Sequence, residues 1–371
     1  MPRAPGSSPN RLSIWHIGAR DGYIPIAFPS FLDRWTDLIL IDAAAQETPA
    51  RVELADGRIP SGSPRRVHAC VAGDDTPRTF EVRACPYASG MYRLSDDFAE
   101  WSVFGNGQCD YVLGAAHATT RIERFTPTTI DKLSLELGSL EPSILVVDAQ
   151  GASREILLDG ARGALAKIDA VVAEVELLPF YGEIASFAQL LPGLWDFGFA
   201  FAGFLEETES WATPARVPVG QRCETLPGSK DAMFIRIPQR LDWCGDFARL
   251  ARYVVSCTMF GHVDFGLSVL RGVSDAPDYE AAPLDSPVSF ALDLWHAQRG
   301  DPCVFPPAWS PRTIESGISS GVVAAELRRL ADCAPTRVES VLLRYGFGTV
   351  VESLQARRIA QARELLGGRS S

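Results

Sequence analysis

Long apolar runs are missing from this chain. No stretch approaches the roughly 18–20 uninterrupted apolar residues that a bilayer span requires, so no membrane-spanning helix is expected. A basic footprint is missing too: 35 Lys and Arg stand against 46 Asp and Glu, for a formal net charge of −11. A nucleic-acid partner needs clustered cations to neutralise phosphates, and Arg65–Arg66 with Arg357, Arg358 and Arg363 are too sparse to supply them. Histidine is scarce and dispersed, at positions 16, 68, 117, 262 and 296. The eight cysteines contain no C-x-x-C pair and no histidine at ligand spacing, so neither a metal centre nor a disulfide framework is expected. Scattered thiols in a chain of this size fit a reducing, cytoplasmic setting. The first residues, MPRAPGSSPNR, lack the apolar core of a secretory signal and read as a flexible lead-in over 1–11.

What is present is a core-forming composition, 46% hydrophobic over 371 residues, enough for two domains or one large α/β domain with an appendage. Short apolar runs recur at 12–18 (LSIWHIG), 38–41, 67–72, 143–147 (SILVV) and 170–177 (AVVAEVEL). Such runs separated by helices predict a parallel sheet covered on both faces. The segment 24–38 reads as mostly helical despite Pro25 and Pro29, and Leu157, Ala161, Leu165 and Ile168 share one helical face. A helical stretch follows over 184–195, and GFAFAGF and DAMFIRI suggest a closing antiparallel pair. The long segment 74–142 reads as an insertion or lid in which TFEVRA, YRL and TTRIERF suggest extra strands. Residues 240–371 read as an α-helical region broken by Pro-rich linkers over 275–287 and 301–312. Its helical segments include GVVAAELRRLAD and RVESVLLRYGF.

Ligands of an open α/β sheet sit beyond the carboxyl ends of its strands. There the first run ends in Gly18-Ala19-Arg20-Asp21-Gly22, a small-residue turn that admits a ligand against backbone. The second ends in Asp42, about 20 residues on, where a carboxylate can take both hydroxyls of a ribose. The fourth ends in Asp148-Ala149-Gln150-Gly151, and the fifth carries Glu174 and Glu176 on one face. Each has a plainer reading: Asp42 as turn punctuation, Asp148 as a helix N-cap, His16 as a core histidine. The two glutamates resist it, because burying an unpartnered carboxylate is costly.

Taken in order, these pieces resemble the FkbM-type family of S-adenosylmethionine-dependent methyltransferases. The run from Asp148-x-Gln150-Gly151-Ala152, through Leu158, Gly160 and Ala161, to Glu174-Val175-Glu176, Tyr181 and Gly198-Phe199 carries the likeness most specifically. IGARDG, Asp42 and CVAG (70–73) extend it loosely upstream, so that it spans roughly residues 12–237.

The resemblance implies a doubly wound, Rossmann-like class I methyltransferase sheet over 12–239, mostly parallel with an antiparallel edge hairpin, followed by the helical region. It implies S-adenosyl-L-methionine held by Gly18, Ala19, Asp21, Gly22, Asp42, Ala72, Asp148 and Gln150. The activity implied is O-methylation of a hydroxyl on a sugar or specialised metabolite. Asp148, then Glu174 and His16, are the candidate catalytic groups at the sheet edge. A homodimer is compatible with the sequence. Three positions depart from the family pattern: His16 and Ser153 stand where acids are usual, and Ala43 where proline is. They motivate a second reading, an inactive methyltransferase-fold binding or assembly protein. A dinucleotide oxidoreductase is the third, opposed by the absence of G-x-G-x-x-G.

Overall fold

Apolar runs, rich in β-branched residues at the centre of the sheet, make most strands of the principal sheet. Its strands are β1 (Leu12–Ile17), β2 (Thr36–Asp42), β3 (Arg65–His68), β4 (Ile144–Val147), β5 (Ala170–Glu176), β6 (Phe199–Phe204) and β7 (Ser229–Arg236). In a computed structural model of the chain, residues 11–20, 22–43, 52–105, 111–138, 141–182, 187–205, 210–214, 226–243, 245–273, 283–300 and 336–367 are described. By contacts the chain divides into two units, Met1–Phe28 with Asp33–Cys244, and Pro29–Leu32 with Gly245–Ser371.

The seven strands of the first unit lie in the order β6-β7-β5-β4-β1-β2-β3. Strands β5, β4, β1, β2 and β3 pair in parallel, and β7 pairs antiparallel with both β5 and β6. The chain is therefore a mixed α/β protein with a mostly parallel seven-stranded sheet. The expected antiparallel pair is present, with β7 inserted between β5 and β6 rather than at the margin.

Helices α1 (Ile130–Leu137), α2 (Ser153–Leu158), α3 (Arg162–Leu165) and α4 (Phe187–Asp196) share a core with one face of this sheet. Trp15, Ile17, Ile39, Ile41, Leu145, Val147, Val171 and Ala173 meet Ile130, Ile156, Leu157, Leu165, Leu190 and Leu194 there, all buried. Leu157, Ala161, Leu165 and Ile168 all reach that core, as their spacing predicts. Leu157 and Leu165 do so from two short helices rather than one, and Ala161 and Ile168 from the residues flanking the second. The break falls at Gly160, where a Cβ would lie 2.5 Å from the Ala72 carbonyl oxygen.

Two other expectations change. Residues 24–38 form no α-helix: a 3-10 turn at Ser30–Trp35 precedes β2. Pro25 and Pro29 remove two N–H donors and disfavour helical backbone at the residues before them. Within the insertion, Arg78–Arg83 and Thr119–Phe125 pair as an antiparallel hairpin, but YRL is not a strand. A four-stranded sheet of 226–227, 210–213, 102–105 and 111–112 completes this region. Its apolar cluster joins Leu94, Phe98, Val103 and Leu113 to Phe180, Tyr181 and Ala212.

The second unit is helical in its described residues: α5 (Phe247–Met259), α6 (Val263–Arg271), α7 (Pro287–Gly300), α8 (Arg337–Arg344) and α9 (Gly348–Gly367). Asp246 caps α5 by accepting from Ala248 and Arg249 N–H, and Thr336 with Glu339 forms a capping box at α8. Phe31, Phe290, Tyr345 and Phe347 stack in its core. GVVAAELRRLAD lies outside the described residues. No helix among them is long and apolar enough to cross a membrane.

Candidate ligand site at the carboxyl edge of the sheet

Strand register assembles the site. Ile41, Ile17, Val147 and Ala173 stand in one row across β2, β1, β4 and β5. One residue further on, the row reads Asp42, Gly18, Asp148 and Glu174, and antiparallel pairing sets Asp231 of β7 opposite Glu174. Backbone bonds continue into that row, from Gly18 N–H to the Ile41 carbonyl (2.9 Å) and from Asp148 N–H to that of Ile17 (2.9 Å). Segments far apart in sequence thus present four acids and a glycine along one edge.

Gly18 makes this approach possible. Its φ is +83°, and a Cβ there would fall 1.6 Å from the Asp148 carbonyl oxygen. No other residue fits that space. The turn opposite is itself strained: Gln150 holds a left-handed φ of +43° and Gly151 one of +86°. A non-glycine residue in that region costs on the order of 1 kcal/mol and persists only where its surroundings fix it.

Two environments adjoin this turn. On one side is an open cleft of about 130 Å³ lined by Ile17, Gly18, Ile41, Asp42, Cys70 and Val71, together with Asp148 and Gln150. Its outer wall comes from the insertion, as Phe80, Pro86, Tyr87, Ser89, Gly90 and Met91. Arg83 pins that wall. Its guanidinium is fully buried and donates to the carbonyls of Ala88 (2.7 Å) and Tyr92. Arg20 spans the cleft mouth to the Pro86 carbonyl at 3.2 Å. The Cys70 thiol in the floor is pushed up to about 11, chiefly by burial, and is no nucleophile at neutral pH.

On the other side is a carboxyl cluster. The Gln150 amide donates to Glu174 Oε2 (3.2 Å) and, at longer range, to Asp148 Oδ1 (3.4 Å). Its carbonyl oxygen accepts from the Tyr181 hydroxyl at 2.7 Å. Burial, then the charges of Asp148 and Glu176 and a hydrogen bond to Asp148, hold the Glu174 pKa well above the usual carboxylate range. Two carboxyls in contact cannot both ionise cheaply, which favours the protonated form of Glu174. Burial carries Glu176 up to about 7 against the opposing backbone N–H groups of Glu176 and Gly151. Among the described residues, no group of three or more His, Cys, Asp or Glu side chains is placed to hold a metal ion.

The expected site residues divide accordingly. Gly18, Asp42, Asp148 and Gln150 line the cleft, and Asp148 also belongs to the carboxyl cluster with Glu174. Ala19 and Gly22 are buried in the turn behind Gly18. Ala72 is fully buried against Gly160, while its neighbours Cys70 and Val71 reach the cleft. Asp21 lies outside the described residues. His16 is buried one pleat inside the row, neither ring nitrogen meets a hydrogen-bond partner, and burial brings its pKa down to about 4. Ser153 is buried with its hydroxyl unpartnered, and Glu155 in the same helix pairs with Arg78 at 2.8 Å.

Sequence reasoning missed Asp231, which only the antiparallel register brings to the edge, and the insertion residues Arg83, Tyr87, Tyr111 and His117. No local motif announces them. No family model, no curated protein and no solved structure matches the chain.

Proposed function

We propose that the chain is an S-adenosylmethionine-dependent methyltransferase acting on a hydroxyl of a sugar or specialised metabolite. The observation that carries this reading is the single row of Asp42, Gly18, Asp148 and Glu174 at the carboxyl edge, opening on a cleft where backbone is exposed at Gly18. A mostly parallel sheet with an inserted antiparallel strand is compatible with the sheet the sequence resemblance implies.

The residues present suit the cofactor. A diol can be taken by Asp42 in the floor, a flat apolar ring by Ile41, Val71 and Phe80, positive charge by Asp148, and a carboxylate by Arg20 at the mouth. When bound, the cofactor supplies a methyl group on a sulfonium, an electrophile that needs alignment and a deprotonated acceptor oxygen. Asp148 takes the proton from the acceptor hydroxyl as that oxygen attacks. Glu174, protonated, hydrogen-bonds Asp148 and holds its carboxylate in position. Gln150 orients the Asp148–Glu174 pair from the cleft side. The walls contributed by the insertion exclude water, which strengthens each of these interactions.

Calorimetry with S-adenosylmethionine tests the reading. Saturable heat is expected; none at millimolar ligand would favour the inactive binding or assembly protein, to which the non-acidic, buried His16 and Ser153 point. A fluorescence titration with NADH, expected to show no change, closes the oxidoreductase reading.

A further inference from the structure

Gln150 is held from both ends. Its amide nitrogen faces Glu174 and Asp148 and its amide oxygen faces Tyr181. A flipped amide would set oxygen against the Asp148 carboxylate, so the partners themselves fix the orientation. Tyr181 is 8% exposed within the apolar cluster of Leu94, Phe98, Leu113 and Phe180, where an unsatisfied hydroxyl would be costly.

The chain of contacts continues outward. His117 Nε2 lies 3.3 Å from the Tyr181 hydroxyl, and His117 Nδ1 lies 2.9 Å from the Leu113 carbonyl. A carbonyl only accepts, so Nδ1 carries the ring proton and Nε2 is an acceptor. Burial, then the Arg83 guanidinium, hold the His117 pKa down to about 4, which keeps the ring in this neutral form at pH 7. The single Tyr181 proton goes to Gln150, so His117 packs against the phenol ring, centroids 5.8 Å apart, without donating to it.

We infer that Tyr181 is a positioning residue: seated in the apolar cluster that the insertion supplies, with His117 packed on its ring, it fixes the Gln150 amide in the orientation that completes the ligand site. Gln150 sits at an unfavourable backbone angle, and this hydrogen bond is one of the constraints that keeps it there. The insertion is then a working part of the site and not only its wall. The inference rests on the methyltransferase reading for its ligand, and on geometry alone for the positioning.

The test is a double-mutant cycle on the full chain, read twice. Tyr181→Phe deletes one oxygen, and S-adenosylmethionine affinity should fall about tenfold, the usual effect of one buried hydrogen bond. Gln150→Ala should weaken it at least as much, and the double variant no more than Gln150→Ala alone. Urea unfolding of the same four Tyr181 and Gln150 proteins reads their coupling without ligand.

Non-additivity in both measurements supports the inference. Coupling in stability with additive losses in affinity overturns the positioning role. Additive losses in stability overturn the contact itself. If the wild type takes up no S-adenosylmethionine while the stability coupling holds, the methyltransferase reading falls and the geometric positioning stands.

Discussion

On one side of the turn at 148–151 lies an open cleft floored by strand ends and walled by the insertion; on the other lies a buried cluster of carboxyls and a phenol. The cleft presents polar and apolar surface in nearly equal measure, with Arg20, Asp42 and Asp148 on its lining, the makings of a place that binds. The carboxyl side packs Asp148, Glu174 and Glu176 so closely that burial and mutual charge raise the pKa of both glutamates, the makings of a place that moves protons. Asp148 and Gln150 belong to both. In the proposed reaction this short turn with strained backbone would join binding to proton chemistry, and each half should fail differently when altered.

Asp148→Asn strikes the shared residue and should have the largest effect. General-base removal commonly costs 10²–10⁴ in rate, and a loss of at least about 100-fold in kcat is expected with an unchanged unfolding midpoint. Methylation at the wild-type rate would remove Asp148 from the mechanism. Gly18→Ala comes next, since it attacks the close approach on which both sides depend. With φ at +83° and the added carbon 1.6 Å from the Asp148 oxygen, backbone must move. About 3 kcal/mol should be lost in urea unfolding, and an unaltered midpoint would mean that the two turns are not held together.

Glu176→Gln isolates the carboxyl side. The folded-state pKa of Glu176, about 7, lies above its ordinary 4.5. Its contribution is therefore complete below pH 4.5 and is lost as pH rises through 7. Relative to wild type, the glutamine variant should gain about 2 kcal/mol between those limits in urea unfolding at pH 4.5, 6 and 8, with ligand affinity unchanged. A parallel pH profile would place Glu176 in contact with water.

Asp42→Asn isolates the cleft. Loss of a charged, bidentate acceptor for a diol should weaken S-adenosylmethionine binding about tenfold in calorimetry, with the pH dependence of stability unmoved. Should the affinity stay the same while turnover falls, binding and proton chemistry would not be divided as described.

These contrasts also explain what the sequence made legible. β4 and β5 could be read because they are continuous apolar runs, the segment after β4 because its apolar residues keep helical spacing, and the edge because DAQG and EVE supply polar residues where apolar ones would otherwise run. The segment before β2 could not. Its apolar residues mimic a helix, but Pro25 and Pro29 determine the backbone. Asp231 was hidden for another reason. Nothing near it marks a site, and only the register of an antiparallel strand sets it beside Glu174. Arg83 and His117 act through backbone carbonyls within the insertion and, for His117, through packing on a phenol 64 positions away, a relation no local pattern carries.

His16 belongs to neither side, and substituting it should have the smallest effect of all. It shares the face of the row but sits one pleat deeper, with no hydrogen-bond partner at either nitrogen and no place in the cleft. A base must reach the acceptor, and this ring does not. Exchanging it for leucine removes two unsatisfied polar atoms and keeps the volume nearly constant. His16→Leu should keep turnover within about twofold of wild type, well inside the loss expected of a general base. The pH dependence provides a second check. The folded-state pKa of about 4 lies below the ordinary 6.5, so stability associated with His16 is present above 6.5 and is lost as pH falls toward 4. The leucine variant should lose less than wild type over that acid interval. If instead turnover collapses while the acid profile stays the same, His16 reaches solvent and substrate by a movement of the first turn. The boundary between the binding side and the proton side would then run through β1.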